Sequence, residues 1–401
     1  MISGRTPIQT ALRCHAGWDI DSPFDSFPLP WRQNAGLACE TEVGLPVLIF
    51  ADDPACERTL AGLSVLERLI IAAHEAGATK ITVRYANAEP KFTALTRLKI
   101  KALLTREEPA FREPTLLAAG NLALQRGDLE RVMEQRGRLH SPGHESLPCG
   151  VATDWAGSME ASLPRRPKVE ARGVAQPVKD GLTAVQAEDA LWDTMGLETD
   201  SFMDRNFNRP VGRLASRLLI HTPVSPNAIS VVATGIGVLS AIYFARGEAH
   251  LMILGAVLLQ CSAIIDCVDG DLARMSHKES RTGKWLDLGG DQLVHLCLLA
   301  SIGMGLYRMH DQSGPWLWLG IAAALGVVLS FLTRLRAEQS ERPLPQAQAW
   351  IARAANRDFS ALLLMLAIVE RVDLFLWLAL VAVHGFWIYR EWLRQQDAIE
   401  T

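Results

Sequence analysis

Among the aspartates of the run DCVDGDLARMSHKESRTGKWLDLGGD, in the second half of the chain, Asp266, Asp269, Asp287 and Asp291 fall at spacings that could do chemistry together. They border long apolar stretches, where each carboxylate costs up to about 2.5 to 3.5 kcal/mol and is rare without a function. At about 5.5 Å and an effective dielectric near 20, each pair of like charges repels by roughly 3 kcal/mol, so the cluster calls for divalent cations. An all-oxygen ligand set favours magnesium, manganese or calcium over zinc. Two ions bridged by shared carboxylates are the arrangement that stabilises attacking and leaving oxygens in phosphoryl-type transfer.

Helical spacing would position these groups. On one helix Asp266, Asp269, Gly270 and Ala273 share a face, and on the next Gly283, Asp287 and Asp291 repeat at i+4. The turn from Met275 to Thr282 would bring the two faces together. The small residues among the acids let a bulky ligand such as a nucleotide approach the backbone.

The flanking helices read as membrane spans. Runs without charge at Ala228 to Ala245, Ala249 to Ile265 and Trp316 to Thr333 approach the roughly 17 to 25 residues needed to cross hydrocarbon. Leu293 to Tyr307, Ala354 to Val369 and Leu374 to Tyr389 complete a predicted six-helix bundle, since lipid leaves backbone groups no partners outside their own helix. Basic residues gather between spans two and three (Arg274, Lys278, Arg281, Lys284) and between four and five (Arg334, Arg336, Arg342, Arg353, Arg357). The alternate loops carry only Arg246, Arg308 and Arg371, which predicts both termini and the aspartates on the cytoplasmic side. A transporter for divalent cations would carry its acids at midspan. Asp266 instead follows a run of about 17 mostly apolar residues, about 26 Å along its helix and near the boundary.

The string D-x2-D-G-x2-A-R-x8-G-x3-D-x3-D, matched by Asp266, Asp269, Gly270, Ala273, Arg274, Gly283, Asp287 and Asp291, resembles the signature of the CDP-alcohol phosphatidyltransferase family. The resemblance covers roughly residues 200 to 390. It implies transfer of a substituted phosphate group from a CDP-linked donor, such as CDP-diacylglycerol, to an alcohol acceptor, phosphorylated or not, with release of CMP in phospholipid synthesis. It also implies a six-helix membrane bundle, commonly dimeric, in the inner membrane. Asp266, Asp269 and Asp287 would bind two Mg2+ or Mn2+ ions, Asp291 would complete the second site and act as general base, and Gly270, Ala273, Arg274 and Gly283 would line the CDP pocket. A membrane scaffold with a degenerate site would be expected to have lost one of the acids, and all four are present.

Residues 1–195 mix charged and apolar residues as an α/β domain does. LPVLIFADD from Leu45, a helix through Leu63, Leu66, Leu69 and Ile70, and ITVRYA from Ile81 make a βαβ unit, extended by TLLAAG from Thr115 and a helix near Leu129 to Gln135. A parallel sheet covered by helices follows. The stretch from Arg136 to Asp180 reads as a linker or an irregular extension.

This half resembles the Rossmann-type nucleotidyltransferase-like domain carried by some family members, including inositol-phosphate enzymes in which it makes CDP-inositol. Its loop, ADDPACERTLAG, lacks the closely spaced glycines that wrap a triphosphate, and Asn121 stands where a metal-binding aspartate is expected. A non-catalytic domain that binds, docks or dimerises is therefore expected, with Asp52 and Asp53 as strand-end turn residues. The alternative function is CDP-inositol-dependent synthesis of an inositol phosphodiester, with the protein bifunctional if this domain is active.

Residues 196–226 form a juxtamembrane segment ahead of the membrane domain, residues 227–395. In it Arg205, Arg209, Arg213 and Arg217 recur at i+4 among Phe202, Phe207, Leu214 and Leu218, which suits either a helix lying on an anionic leaflet or a solvated basic face. His295 is i+4 from Asp291, as a site residue or a hydrogen-bonded bundle residue.

The whole-chain figures agree with a two-part membrane protein. Of 401 residues 49% are hydrophobic and 21% charged, which excludes a disordered or collagen-like chain, and a net charge of −4 argues against a general nucleic-acid binder. Seven scattered cysteines (Cys14, Cys39, Cys56, Cys149, Cys261, Cys267, Cys297) without a CxxC pair point to a reducing compartment. The first residues lack the apolar core of a secretory signal, so the chain is expected to begin in the cytoplasm.

Overall fold

The computed structural model describes residues 44–163, 165, 167–196, 200–338 and 358–399. The expectations for Cys14, Cys39, Arg342, Arg353, Arg357 and the first residues of the fifth predicted span lie outside them.

The apolar run PVLIF forms β1 (Pro46–Phe50), buried along most of its length, and pairs in parallel with β4 (Lys80–Arg84) and β6 (Thr115–Ala119). A strand flanked on both sides and covered on both faces has no solvent face, which is why it reads as a continuous apolar run. Between β1 and β4 come a hairpin, β2 (Thr59–Leu60) and β3 (Leu63–Ser64), and helix α1 (Val65–Glu75). The Ser64 hydroxyl caps α1 by accepting from the Glu67 amide at 3.1 Å. Leu63, expected in the helix, belongs to the hairpin. Helix α2 (Ala94–Leu98) and β5 (Leu103–Thr105) follow β4, while β7 (Leu122–Leu124) and α3 (Arg126–Gln135) follow β6.

The stretch after Arg136 is part of the domain. It supplies β8 (Arg138–His140), β9 (Ser146–Ala152), the single turn α4 (Met159–Ser162), β10 (Lys168–Glu170) and β11 (Ala175–Pro177). The seven-stranded sheet runs β10-β8-β9-β6-β1-β4-β5, parallel throughout except that β9 lies antiparallel to both neighbours. β11 pairs with β7.

Helix α5 (Gly181–Asp193), capped by a reciprocal pair of bonds between Asp180 and Thr183, leads to a π turn (Asp204–Asn208) and the juxtamembrane helix α6 (Arg209–Leu219). Among the described residues five helices are long and apolar enough to cross a membrane: α7 (Pro226–Phe244), α8 (Ala249–Met275), α9 (Arg281–Met309), α10 (Trp316–Glu338) and α12 (Val372–Ile399). Apolar α11 (Asp358–Ile368) has 11 described residues and stands where the fifth predicted span, Ala354 to Val369, was placed. The chain is a multi-pass membrane protein. Glycines let the spans close tightly: a Cβ on Gly303 would lie 2.6 Å from Gly320 Cα, and one on Gly237 2.6 Å from Val294 Cγ2.

A buried string of polar groups crosses this bundle. Ser360 Oγ donates to Gln260 Oε1 (2.9 Å), Gln260 Nε2 to Asn208 Oδ1 (2.6 Å), and Asn208 Nδ2 to Asp204 Oδ1 (2.8 Å). Each member faces another because an unpaired amide in such surroundings is costly.

The basic stripe of α6 faces neither lipid nor solvent alone. Arg209 is buried between Asp200 and Asp271, Arg213 reaches Asp193 at 3.4 Å, and Arg217 bonds Asp189 at 2.7 Å. Phe202, Leu214 and Leu218 are left exposed instead. The two halves share one apolar cluster that includes Leu60, Val65, Trp192, Ile220, Leu272 and Met275, so the α/β domain seats on the end of α8 that carries the aspartates.

Candidate active site

Helix α8 continues without a break past its apolar run to Met275, and this places Asp266, Asp269, Gly270 and Ala273 on one helix as their spacing predicts. Helix α9 begins at Arg281, capped by the Ser280 hydroxyl, and brings up Asp287. Carboxylate oxygens of Asp266, Asp269 and Asp287 lie within 4.8 Å of one another. Three ionised carboxylates that close demand a compensating charge, and a donor set of oxygens alone fits a hard divalent cation such as magnesium or manganese.

Asp291 lies one turn farther along α9. It lines, with Asp266, Thr234, Ser262, Gly290 and His295, an open cleft between the helices. His295 stands edge-on to Phe359 with ring centroids 5.1 Å apart, so it both packs in the bundle and faces the cleft.

The expected pocket residues gather at the same end. Arg274 lies over Gly270, where an added Cβ would come 3.0 Å from Nη1. At Gly283 a Cβ would lie 2.7 Å from Asn227 Oδ1, so glycine there permits the close approach of α7 and α9. Ala273 is half-buried. Arg334 and Arg336 are exposed near the end of α10.

Sequence reasoning missed the supports of these groups. Ser230 Oγ donates to Oδ2 of the buried Asp269, Asn227 meets Gly283, and Thr234 lines the cleft. The signal was present, since Asn227, Ser230 and Thr234 form an i, i+3, i+7 polar stripe in an otherwise apolar span. Asp271, buried between the motif positions, accepts from Arg274 Nη2 at 2.7 Å and from Arg209 Nη1 at 2.6 Å. It ties the juxtamembrane helix to Arg274.

In the α/β domain the loop after β1 is filled by its own contacts. Asp53 Oδ1 caps the turn at Pro54–Glu57 by accepting from Ala55 N at 2.8 Å, while its other oxygen accepts from Asn121. Asp52 pairs with Arg84 at 2.5 Å. Ala61 and Gly62, both at positive φ, turn the hairpin β2–β3 where a phosphate loop would open. Burial pushes the Cys56 and Cys149 thiols up to about 12, so neither is a thiolate near neutrality.

Residues 223–388 match the family model for CDP-alcohol phosphatidyltransferase. A bifunctional IPC transferase and DIPP synthase of Aquifex aeolicus is 33% identical over 132 residues, 32% of this chain and 28% of that protein. A protein of the same description from Thermococcus kodakarensis is 29% identical over 175 residues, 43% of this chain and 38% of its own length. The matches thus span about a third of these relatives. A crystal structure of Mycobacterium tuberculosis phosphatidylinositol phosphate synthase with CDP-DAG bound is similar at 18% identity and a TM-score of 0.34, covering 45% of this chain and 92% of that one.

Proposed function

Because residues 223–388 are a CDP-alcohol phosphatidyltransferase domain, we propose that the chain transfers a substituted phosphate group from a CDP-linked donor, such as CDP-diacylglycerol, to the hydroxyl of an alcohol acceptor, releasing CMP in phospholipid synthesis. The observation that carries this reading is the convergence of Asp266, Asp269 and Asp287 from two helices beside a cleft that also holds Asp291. Those three carboxylates would hold two Mg2+ or Mn2+ ions, with Asp291 completing the second site. Divalent cations bound there supply charge neutralisation for a diphosphate. Asp291 takes the proton of the acceptor hydroxyl as general base. Gly270, Ala273 and Gly283 would line the CDP moiety, with Gly283 serving the close approach of α7 to α9, and Arg274, fixed by Asp271, supplies a charged donor for it.

The relatives named IPC transferase and DIPP synthase support a second reading, synthesis of an inositol phosphodiester from CDP-inositol. On either reading the α/β domain, with its closed hairpin and engaged Asp52 and Asp53, is non-catalytic. The bundle works as a homodimer in the inner membrane with its site facing the cytoplasm, as the basic loops beside the aspartates support.

The test is CMP release by the purified full chain in detergent, with CDP-diacylglycerol or CDP-inositol, a panel of free and phosphorylated alcohols, and Mg2+ or Mn2+. Product mass identifies donor and acceptor. Failure of every pair to release CMP, together with metal-driven ion flux in vesicles, would replace the enzyme by a transporter.

A further inference from the structure

A helix leaves its last four carbonyls without partners inside it, and at the end of α8 every one of them can be accounted for. Leu272 O accepts from the Ser276 amide (3.0 Å) and hydroxyl (2.6 Å), Arg274 O from His277 N (3.2 Å) and Ala273 O from Lys278 N (2.8 Å). The fourth partner comes from the other half of the protein. Arg68, on α1, donates from Nη2 to Met275 O at 2.8 Å, while the same guanidinium holds Leu60 O and Ala61 O at 2.8 and 2.9 Å. Arg97, on α2, adds bonds to Ser276 O (3.0 Å) and His277 O (3.3 Å).

These contacts form an organised unit. Glu67, next to Arg68, accepts from the amides of Thr93 and Ala94 at 2.7 and 2.8 Å and so fixes the start of α2, which carries Arg97. Arg68 is buried, and desolvation holds its guanidinium down to about 10, against the pull of Glu188 and Glu67. Such burial of a charge is sustained by the three carbonyls it serves together with the two nearby carboxylates. Two cations at the negative end of a helix also complement its dipole.

The segment they grip is the link between the halves of the metal site, since Asp266 and Asp269 precede it on α8 and Asp287 follows it on α9. We infer that Arg68 and Arg97 are positioning residues of the membrane site, through which the α/β domain sets the approach of Asp287 to Asp266 and Asp269. The inference rests on the metal-dependent transferase reading above.

The test uses the full chain in detergent, with Mn2+ binding followed by electron paramagnetic resonance alongside CMP release and thermal unfolding. Arg97 is exposed, so Arg97→Ala should keep its melting temperature yet weaken Mn2+ binding three- to tenfold and lower kcat by a similar factor, with donor KM within twofold. Arg68→Lys, which keeps the charge but not the fork, should weaken Mn2+ binding more than tenfold. Arg126→Ala, on the far pair with Glu130, should match the wild type. Weakened Mn2+ binding in Arg97→Ala and Arg68→Lys, with a wild type that binds Mn2+ but releases no CMP, would uphold the positioning role and overturn the transferase reading. Unchanged Mn2+ affinity in both Arg97→Ala and Arg68→Lys, or a wild type that binds no Mn2+, would overturn the inference itself.

Discussion

Ser230 on α7 donates its hydroxyl to Oδ2 of Asp269 on α8, so one of the converging carboxylates is held from outside its own helix. Partners of this kind orient a ligand, and their loss typically costs about 10 to 100-fold in metal affinity. Ser230→Ala should therefore weaken Mn2+ binding by about tenfold and lose activity that excess Mn2+ restores. A titration curve overlaying the wild type would remove Ser230 from the site.

Asp291→Asn should fold, bind Mn2+ through the triad with one site weakened, and retain donor affinity, because the amide keeps the shape of the side chain. Its turnover should fall by about 10² to 10⁴, the usual contribution of a general base. Single-turnover CMP release measures it, and a near-wild-type rate would assign the base elsewhere.

Asp271 serves two guanidinium groups at once, those of Arg209 and Arg274. Asp271→Ala leaves Arg274 without its buried counter-charge and Arg209 with Asp200 alone, a loss that costs up to about 3 to 5 kcal/mol. The melting temperature in detergent should fall well below that of Asp271→Asn, which preserves an acceptor oxygen. Equal melting of the two would mean that the acceptor oxygen is unimportant.

Gly303 meets the backbone of Gly320 across the α9–α10 crossing. Gly303→Val should force these helices apart at a cost of about 1 to 3 kcal/mol, while Gly385→Ala, with open space around it, should melt like the wild type. Thermal unfolding in one detergent compares them directly.

The carboxylates and spans were legible because their signals are local. Spacing of three and four residues places Asp266 and Asp269, or Asp287 and Asp291, on a helix face whatever surrounds them. A helix in lipid must satisfy its own backbone, so composition alone marks α7, α8 and α10. What escaped depends on distant neighbours. β8 and β10 are three residues each, too short for a period, and become strands only because β9 turns antiparallel between β6 and β8. The arginines of α6 gave a correct amphipathic pattern and the wrong partner, since the acids that claim them, Asp189, Asp193, Asp200 and Asp271, come from α5, the segment before α6 and the motif helix. Nothing local predicts that Arg68 would reach Met275, 207 positions away.

The polar string through Gln260 bears on the order in which the protein is made. Asn208 has already emerged when the second span is synthesised, but Ser360 lies 100 residues downstream of Gln260. Throughout that interval the nascent bundle carries an amide oxygen short of its final donor among apolar helices, a state that hydrocarbon penalises. The late helices α11 and α12 thus act as a closing step, and a ribosome stalled before Asp358 leaves behind a half-bundle marked by its own unmet hydrogen bond.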